Sequence, residues 1–220
     1  MLVLAMHISA FAQLDDKVAD RLWESARVMD ELVTGADSGI PKELLKGADC
    51  VAVIPAVKKG AFGFGGQYGR GVVSCRKEDG KGPFGSPSMI SIGGGSFGLQ
   101  IGGQSVDLVM LFMTPKSMES LLKDKVVLGG DVAAAAGPIG RNVSAETNAT
   151  MHAEILTYAK SRGLFAGISL KGSSLRPDND ANESLYGQKV GGQELLVDGK
   201  IAVPPDAVKF IGALTKASAN

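Results

Sequence analysis

Apolar residues recur at helical spacing across residues 14–34: Leu14, Val18, Leu22, Ala26, Met29 and Val33. Steps of three and four place side chains on one side of a 3.6-residue helix, so the segment is expected to be an amphipathic helix. Its other side is charged. Gly35 and the Asp37-Ser38-Gly39 turn end it, and Pro41 opens a short second helix to Leu45, since its fixed φ suits a first helical position.

The period then changes. Residues 50–55, 61–68 and 71–75 are short apolar or alternating runs punctuated by Gly and Pro, expected as antiparallel strands with a turn at Lys58-Lys59-Gly60. Residues 88–92, 97–101, 106–113, 126–136, 152–161 and 164–170 continue the strand pattern. A helix is expected over 115–122 with Thr114 as its cap. Another is expected over 204–216, with Val208, Ile211 and Leu214 on one side. The order is helix, many strands, helix, without regular alternation. It predicts a single α+β domain: a curved, barrel-like antiparallel sheet packed with N-terminal and C-terminal helices.

Composition adds three points. Thirty glycines occur in clusters without a period, which excludes collagen and implies tight turns and close strand approaches. Lys and Arg total 23 and so do Asp and Glu, so no net charge draws the chain to nucleic acid, and no such partner is expected. The longest internal apolar run, 106–113, is less than half of the roughly 20 residues a spanning helix needs.

Residues 1–12, MLVLAMHISAFA, are uncharged and end in Ala10-Phe11-Ala12, the small-x-small form of a signal-peptidase site. They are expected to be a signal-peptide remnant ahead of a domain over 13–220, and the protein to be periplasmic or secreted. Cys50 and Cys75 are an even pair. Spacing leaves two readings open, a disulfide or two buried thiols.

Several short motifs invite chemistry. Gly94-Gly95-Ser96-Phe97-Gly98 matches G-x-S-x-G, the strand-to-helix elbow of serine hydrolases. The residues after it have strand character, and His152 is the single histidine outside residues 1–12, so Ser96 is a minor candidate nucleophile. The overlapping G-x-G-x-x-G over 93–98 lacks its helix too, and no nucleotide cofactor is expected. Asp178-Asn179-Asp180-Ala181-Asn182 has calcium-loop alternation but lacks the later Gly and Glu; with Pro177 it is better suited to starting a helix. Lys58, Lys59, Arg70, Arg76, Lys77 and Lys81 stand against only Glu78 and Asp79, a local excess that can meet anionic head groups. The first helix has the opposite balance: Asp15, Asp16, Asp20, Glu24, Asp30 and Glu31 outnumber Lys17, Arg21 and Arg27. Such a helix is expected to pack on the sheet, with Trp23 better suited to the core than to its alternative role of interfacial anchor.

Three blocks, CVAVIPAVKKGAFGFGGQYGRGVVSCR over 50–76, IGGGSFGLQIGGQSVDLVMLFM over 92–113 and GLFAGISLKGSSLRPDNDANESLYG over 163–187, resemble the SYLF family. This module is also described as a Las17-binding actin regulator in fungi and is found beside FYVE or SH3 domains in eukaryotes. With the helix before them, the likeness covers nearly all of the chain after residue 12. The resemblance implies a bacterial stand-alone exported member and a lipid-binding domain, phosphoinositide-type and actin-related in eukaryotic members. It implies no catalysis. It also makes the glycines of 93–98 a place where strands cross closely. An anionic lipid or membrane surface is the expected partner, with a protein partner as the alternative. Lys58, Lys59 and Arg70, within the first matching block, are the candidate head-group contacts.

Overall fold

The computed structural model describes residues 15–34, 39–62, 64–78, 80–96, 104–139, 153–161 and 164–219. Two helices come first, α1 (Asp16–Thr34) and α2 (Lys42–Gly47). Strands β1 (Cys50–Phe62), β2 (Phe64–Cys75), β3 (Ser88–Ser96) and β4 (Gln104–Phe112) come next, then α3 (Pro115–Ser120). After these are β5 (Val126–Val127), β6 (Ala134–Ala136), β7 (Ile155–Ser161), β8 (Leu164–Gly167) and β9 (Ser174–Pro177). The chain closes with α4 (Asn179–Tyr186), α5 (Gly192–Leu196) and, after a 3-10 turn at Pro205–Ala207, α6 (Val208–Ala219).

The strands form one nine-stranded sheet in the order β5-β9-β3-β2-β1-β4-β7-β6, with β8 paired to the same strand as β6. It is antiparallel except for the parallel β6–β7 pair. The sheet curls strongly, as a half-barrel, and residues 126–136 show how far. Val126 and Val127 pair with β9 at one edge, while Ala134–Ala136 pair with β7 at the other. Val127 and Ala134 are seven residue steps apart, a link that can span at most about 25 Å, so the two edges lie within that distance. The expected strand over 126–136 is therefore two strands on opposite edges. Gly129, with φ of +74°, makes the break.

Each face of the sheet has its own core. Val51, Val53, Val72, Met89, Val109, Leu111, Leu156 and Tyr158 lie under α1 and α6, which contribute Val18, Leu22, Met29, Phe210 and Leu214. This is the helix face. The alternate residues Ala52, Ile54, Val57, Val73, Ile90, Ile92, Leu108, Met110 and Phe112 pack on the second face with Leu121, Val126, Leu128 and Leu195. Burying each such side chain contributes about 1.5–3 kcal/mol.

The three strands expected over 50–75 are two long ones, and Lys58-Lys59-Gly60 is inside β1 rather than at a turn. The chain reverses between Phe62 and Phe64. Pro55 does not end β1 because it lies in a bulge. From Val53 to Lys58 the strand takes five steps while its partner takes four, Val72 to Tyr68. One extra residue is absorbed there, and a bulge is where a strand tolerates proline. The bulge leans on β2, and only glycine fits beneath it. A Cβ on Gly71 would sit 2.2 Å from the Val53 carbonyl oxygen, and one on Gly69 would sit 2.6 Å from a Val57 methyl.

The last helix turns differently from its expected face. Phe210, Ala213, Leu214 and Ala217 are buried, while Val208 is exposed. The 3-10 turn ahead of α6 buries Ala207, one turn before Phe210 and two before Leu214 on the same side, and Val208 falls beside that stripe.

Candidate functional site

Strand parity sorts the basic residues of the first block. Lys58 faces Tyr68 across the β1–β2 pair and Lys59 faces Gln67. Val57 belongs to the second face and Val72 to the helix face. Side chains alternate along strands, so Lys58, Tyr68 and Arg70 are on the helix face, and Lys59 and Gln67 on the other. The three candidate head-group residues therefore divide. Lys58 and Arg70 share an exposed surface, while Lys59 is half-buried behind it. Burial lowers the Lys59 ammonium below the ordinary lysine range.

On the helix face the register gives two transverse rows beyond the apolar core. Arg176, Ser91 and Arg70 are directly across from one another on β9, β3 and β2, and Asp107 is across from Lys160 on β4 and β7. The next row toward the β1–β2 reversal is Ser174, Gly93, Tyr68, Lys58 and Ser105. Tyr68 is 52% exposed, and a Cβ on Gly93 would meet nothing within 4 Å. This part of the sheet is an open shelf of small and polar residues beside α1.

Arg70 is held on that shelf. Its Nε–H donates to the Tyr68 hydroxyl oxygen at 2.6 Å, and its guanidinium carbon is 6.0 Å from the Tyr68 ring centre. The Tyr68 hydroxyl first, then the charge of Asp178, raises the Arg70 pKa above its ordinary range. Asp178 is 3.8 Å from Arg70 Nε but only 2.9 Å from Nη1 of Arg21, on α1. Arg21 and Asp178 are both nearly buried, so this carboxylate is committed mainly to Arg21, which leaves half-exposed Arg70 as the freer cation. Tyr68 is not among the sequence candidates, although the Tyr-x-Arg alternation of β2 is a signal that could find it, and Asp178 enters from the sequence only as a calcium-loop or helix-start residue, not as a neighbour of Arg70.

The other candidates are scattered. The sulfurs of Cys50 and Cys75 are bonded, joining directly opposed residues of β1 and β2 on the second face. Ser96 ends strand β3, and residues 97–103 and His152 lie outside the described residues. Gly93 and Gly94 are in strand, with no helix opening at either. A Cβ on Gly94 would be 2.8 Å from the Ser173 Cα, so at least one of these glycines does permit a close backbone crossing. Asp178 precedes α4 as its cap residue, and Asp180 is in the first helical turn. Among the described residues, no three His, Cys, Asp or Glu side chains gather where a metal ion could be held. No described helix is long and apolar enough to cross a membrane. Residues 1–12 lie outside the described residues.

Trp23 departs from its expected place in the core. It is 50% exposed, with the Lys209 ammonium of α6 4.9 Å from the ring centre. The buried stripe of α1 runs through Val18, Arg21, Leu22, Ser25, Ala26, Val28, Met29 and Leu32. Trp23 falls just off it, next to Leu22 in sequence but 100° around the helix.

Comparison with known proteins gives this chain its relatives. A family model described as Ysc84: Las17-binding protein actin regulator matches residues 93–217. Protein YSC84 of Saccharomyces cerevisiae is 34% identical over 191 residues, 86% of this chain and 40% of that protein. LAS seventeen-binding protein 3 of the same yeast is 36% identical over 176 residues, 79% of this chain and 38% of that protein. SH3 domain-containing YSC84-like protein 1 of Homo sapiens is 36% identical over 163 residues, 74% of this chain and 47% of that protein. The chain thus spans less than half the length of each. With the family model covering more than half of its residues and the likeness extending back through β1 and β2, the chain belongs to the Ysc84, or SYLF, family of actin-regulator-related proteins.

Proposed function

We propose that this protein is a non-catalytic binding module that takes an anionic lipid surface on the helix-face shelf of its sheet. The observation that carries the reading is the side-by-side placement of exposed Lys58, Tyr68 and Arg70 on that face. Cationic side chains next to an amphipathic aromatic suit a head-group layer, where anionic lipid attracts Lys and Arg at about 1 kcal/mol each. The excess acid on α1 argues against a helix lying in the membrane and leaves the shelf as the contact. Export to a periplasmic or extracellular space is part of the reading, supported by residues 1–12 and by the Cys50–Cys75 bond, which suits an oxidising compartment.

The test is co-sedimentation with phosphatidylglycerol vesicles. The Lys58→Glu, Arg70→Glu double variant loses pelleting while its circular dichroism stays as in the parent. Undiminished pelleting removes the shelf from the lipid contact.

A protein partner is the second reading. Its support is half-exposed Trp23 capped by Lys209, since tryptophan is enriched among interface anchors. The names of relatives such as LAS seventeen-binding protein 3 point the same way. Co-purification of one stoichiometric protein, lost in Trp23→Ala, favours it over lipid. A Ser96 hydrolase is the weakest alternative, because the residues that follow the G-x-S-x-G serine have strand character in the sequence, where a nucleophile elbow needs a helix. Labelling by a fluorophosphonate that disappears in Ser96→Ala would establish it.

A further inference from the structure

We infer that Arg176 and Ser91 complete, with Arg70, a phosphate-binding site on the helix-face shelf, and that Lys59 takes no part in it. The inference rests on the lipid-surface reading only for the source of the phosphate; the site itself comes from register. Arg70, Ser91 and Arg176 are in direct register on three adjacent strands. Neighbouring strands are about 4.8 Å apart, so the two arginines flank the Ser91 hydroxyl at about 10 Å between their backbones. Both side chains rise from the same face, and both are exposed. Two guanidinium groups at that separation can converge on one oxyanion, each with two parallel N–H donors, while a serine hydroxyl beneath donates a third contact.

The surroundings favour an anion. Both contacts that Arg70 makes with Tyr68 and Asp178 run through Nε, away from the fork of terminal nitrogens that grips phosphate. Asp178 is the nearest competitor, and Arg21 holds it a full 0.9 Å closer than Arg70 does, 2.9 Å against 3.8 Å. Asp180 also acts on Arg70. Against these two carboxylates stand Arg21, Arg70, Arg176 and, one row on, Lys58. The shelf is also unobstructed: Gly93 carries no side chain, and the space a Cβ would enter is empty to 4 Å. Lys59 cannot reach this place, because it rises from the opposite face beside Gln67, whose amide donates to Ser173.

Phosphate can come from a lipid head group or from a soluble ligand, and two titrations of the full chain separate these sources. In one, inorganic phosphate is followed by the backbone amide shifts of Arg70, Ser91 and Arg176. In the other, phosphatidylglycerol vesicles are followed by co-sedimentation. The expected result is that Arg70→Gln and Arg176→Gln each weaken binding about tenfold in both titrations, with Lys59→Gln within about twofold of the parent. Arg176 is exposed, so its variant keeps the parent's thermal midpoint, which confirms that folding is not the cause. Phosphate binding that depends on Arg176, without vesicle binding, supports the site and overturns the lipid-surface reading. Vesicle binding indifferent to Arg176→Gln overturns the site and leaves that reading standing. Loss in Lys59→Gln equal to that in Arg176→Gln, or no response to either titrant, overturns the site as well.

Discussion

The Asp107 carboxylate accepts a hydrogen bond from the Ala56 backbone N–H at 2.9 Å, and so β4 clamps the β1 bulge from the side. Ala56 has φ of +49°, a left-handed conformation that an alanine adopts at a cost of about 1–2 kcal/mol. The bulge matters to function because it shifts the parity of everything after it. Ile54 and Val57, three residues apart, both join the second core, and Lys58 emerges on the helix face. Removing the clamp in Asp107→Ala is expected to destabilise the fold by about 1 kcal/mol. Ala56→Gly, which relieves the left-handed strain, is expected to be neutral or stabilising by up to about 1 kcal/mol. Urea midpoints decide both; a clear loss in Ala56→Gly would contradict the assignment of strain.

Glycines of the sheet are not equivalent. Gly71→Ala places a methyl 2.2 Å from the Val53 carbonyl oxygen, a backbone atom that cannot swing away. We expect a loss of about 2–3 kcal/mol, or roughly 4–12 °C in Tm for a chain of this size. Gly93→Ala, with empty space above it, is expected to change stability by less than about 0.5 kcal/mol. Calorimetry on the two variants checks the contrast, and equal losses would refute it.

The Cys50–Cys75 bond joins residues 25 apart in sequence across the β1–β2 pair. In the chain-entropy account, closing a loop of that length contributes about 3.5 kcal/mol by restricting the unfolded chain. A Cys50→Ala, Cys75→Ala double variant is expected to lower the urea midpoint accordingly while keeping the far-ultraviolet circular dichroism. Full stability in the double variant, or in the parent under reductant, would show that the bond contributes nothing.

Two arginines of α1 make ion pairs of different worth. Arg21 is nearly buried against Asp178, whereas Arg27 is more exposed and pairs with Glu24 and Glu31 along its own helix. Removing one member of a buried pair leaves its partner uncompensated, at about 3–5 kcal/mol, while an exposed helical pair contributes about 0.3–0.5 kcal/mol. Arg21→Ala is expected to cost several times more stability than Arg27→Ala. Arg21→Ala also frees Asp178 to turn to Arg70, so vesicle or phosphate binding should fall with it. Equal midpoints for the two variants would count against the buried pair.

Much of the layout could be read from residue order. The stripe Val18, Leu22, Ala26 and Met29 announced α1, Thr114 announced α3, and the alternating runs announced the antiparallel sheet and its curvature. Errors arose where local signals competed with long-range pairing. Lys58-Lys59-Gly60 has turn composition, yet two neighbouring strands supply it with partners, and it stays extended. Residues 126–136 have one apolar pattern but two destinations. Trp23 and Val208 were expected inside by hydrophobicity, and each is just off the buried face of its helix.

The candidate site shows the same division. Sequence alone determined that a cationic run accompanies the first glycine-rich block, and the matching blocks carried the family, because both are properties of residue identity and order. Which of those cations share a surface was decided only by the folded sheet. A single extra residue at the Ala56 bulge sets the face of Lys58 and Lys59, and hydrogen-bonded register brings Arg176 and Ser91 from distant parts of the chain to stand beside Arg70. Side-chain direction in a strand has a period of two, so one inserted residue inverts it, and pairing across strands has no local signature at all.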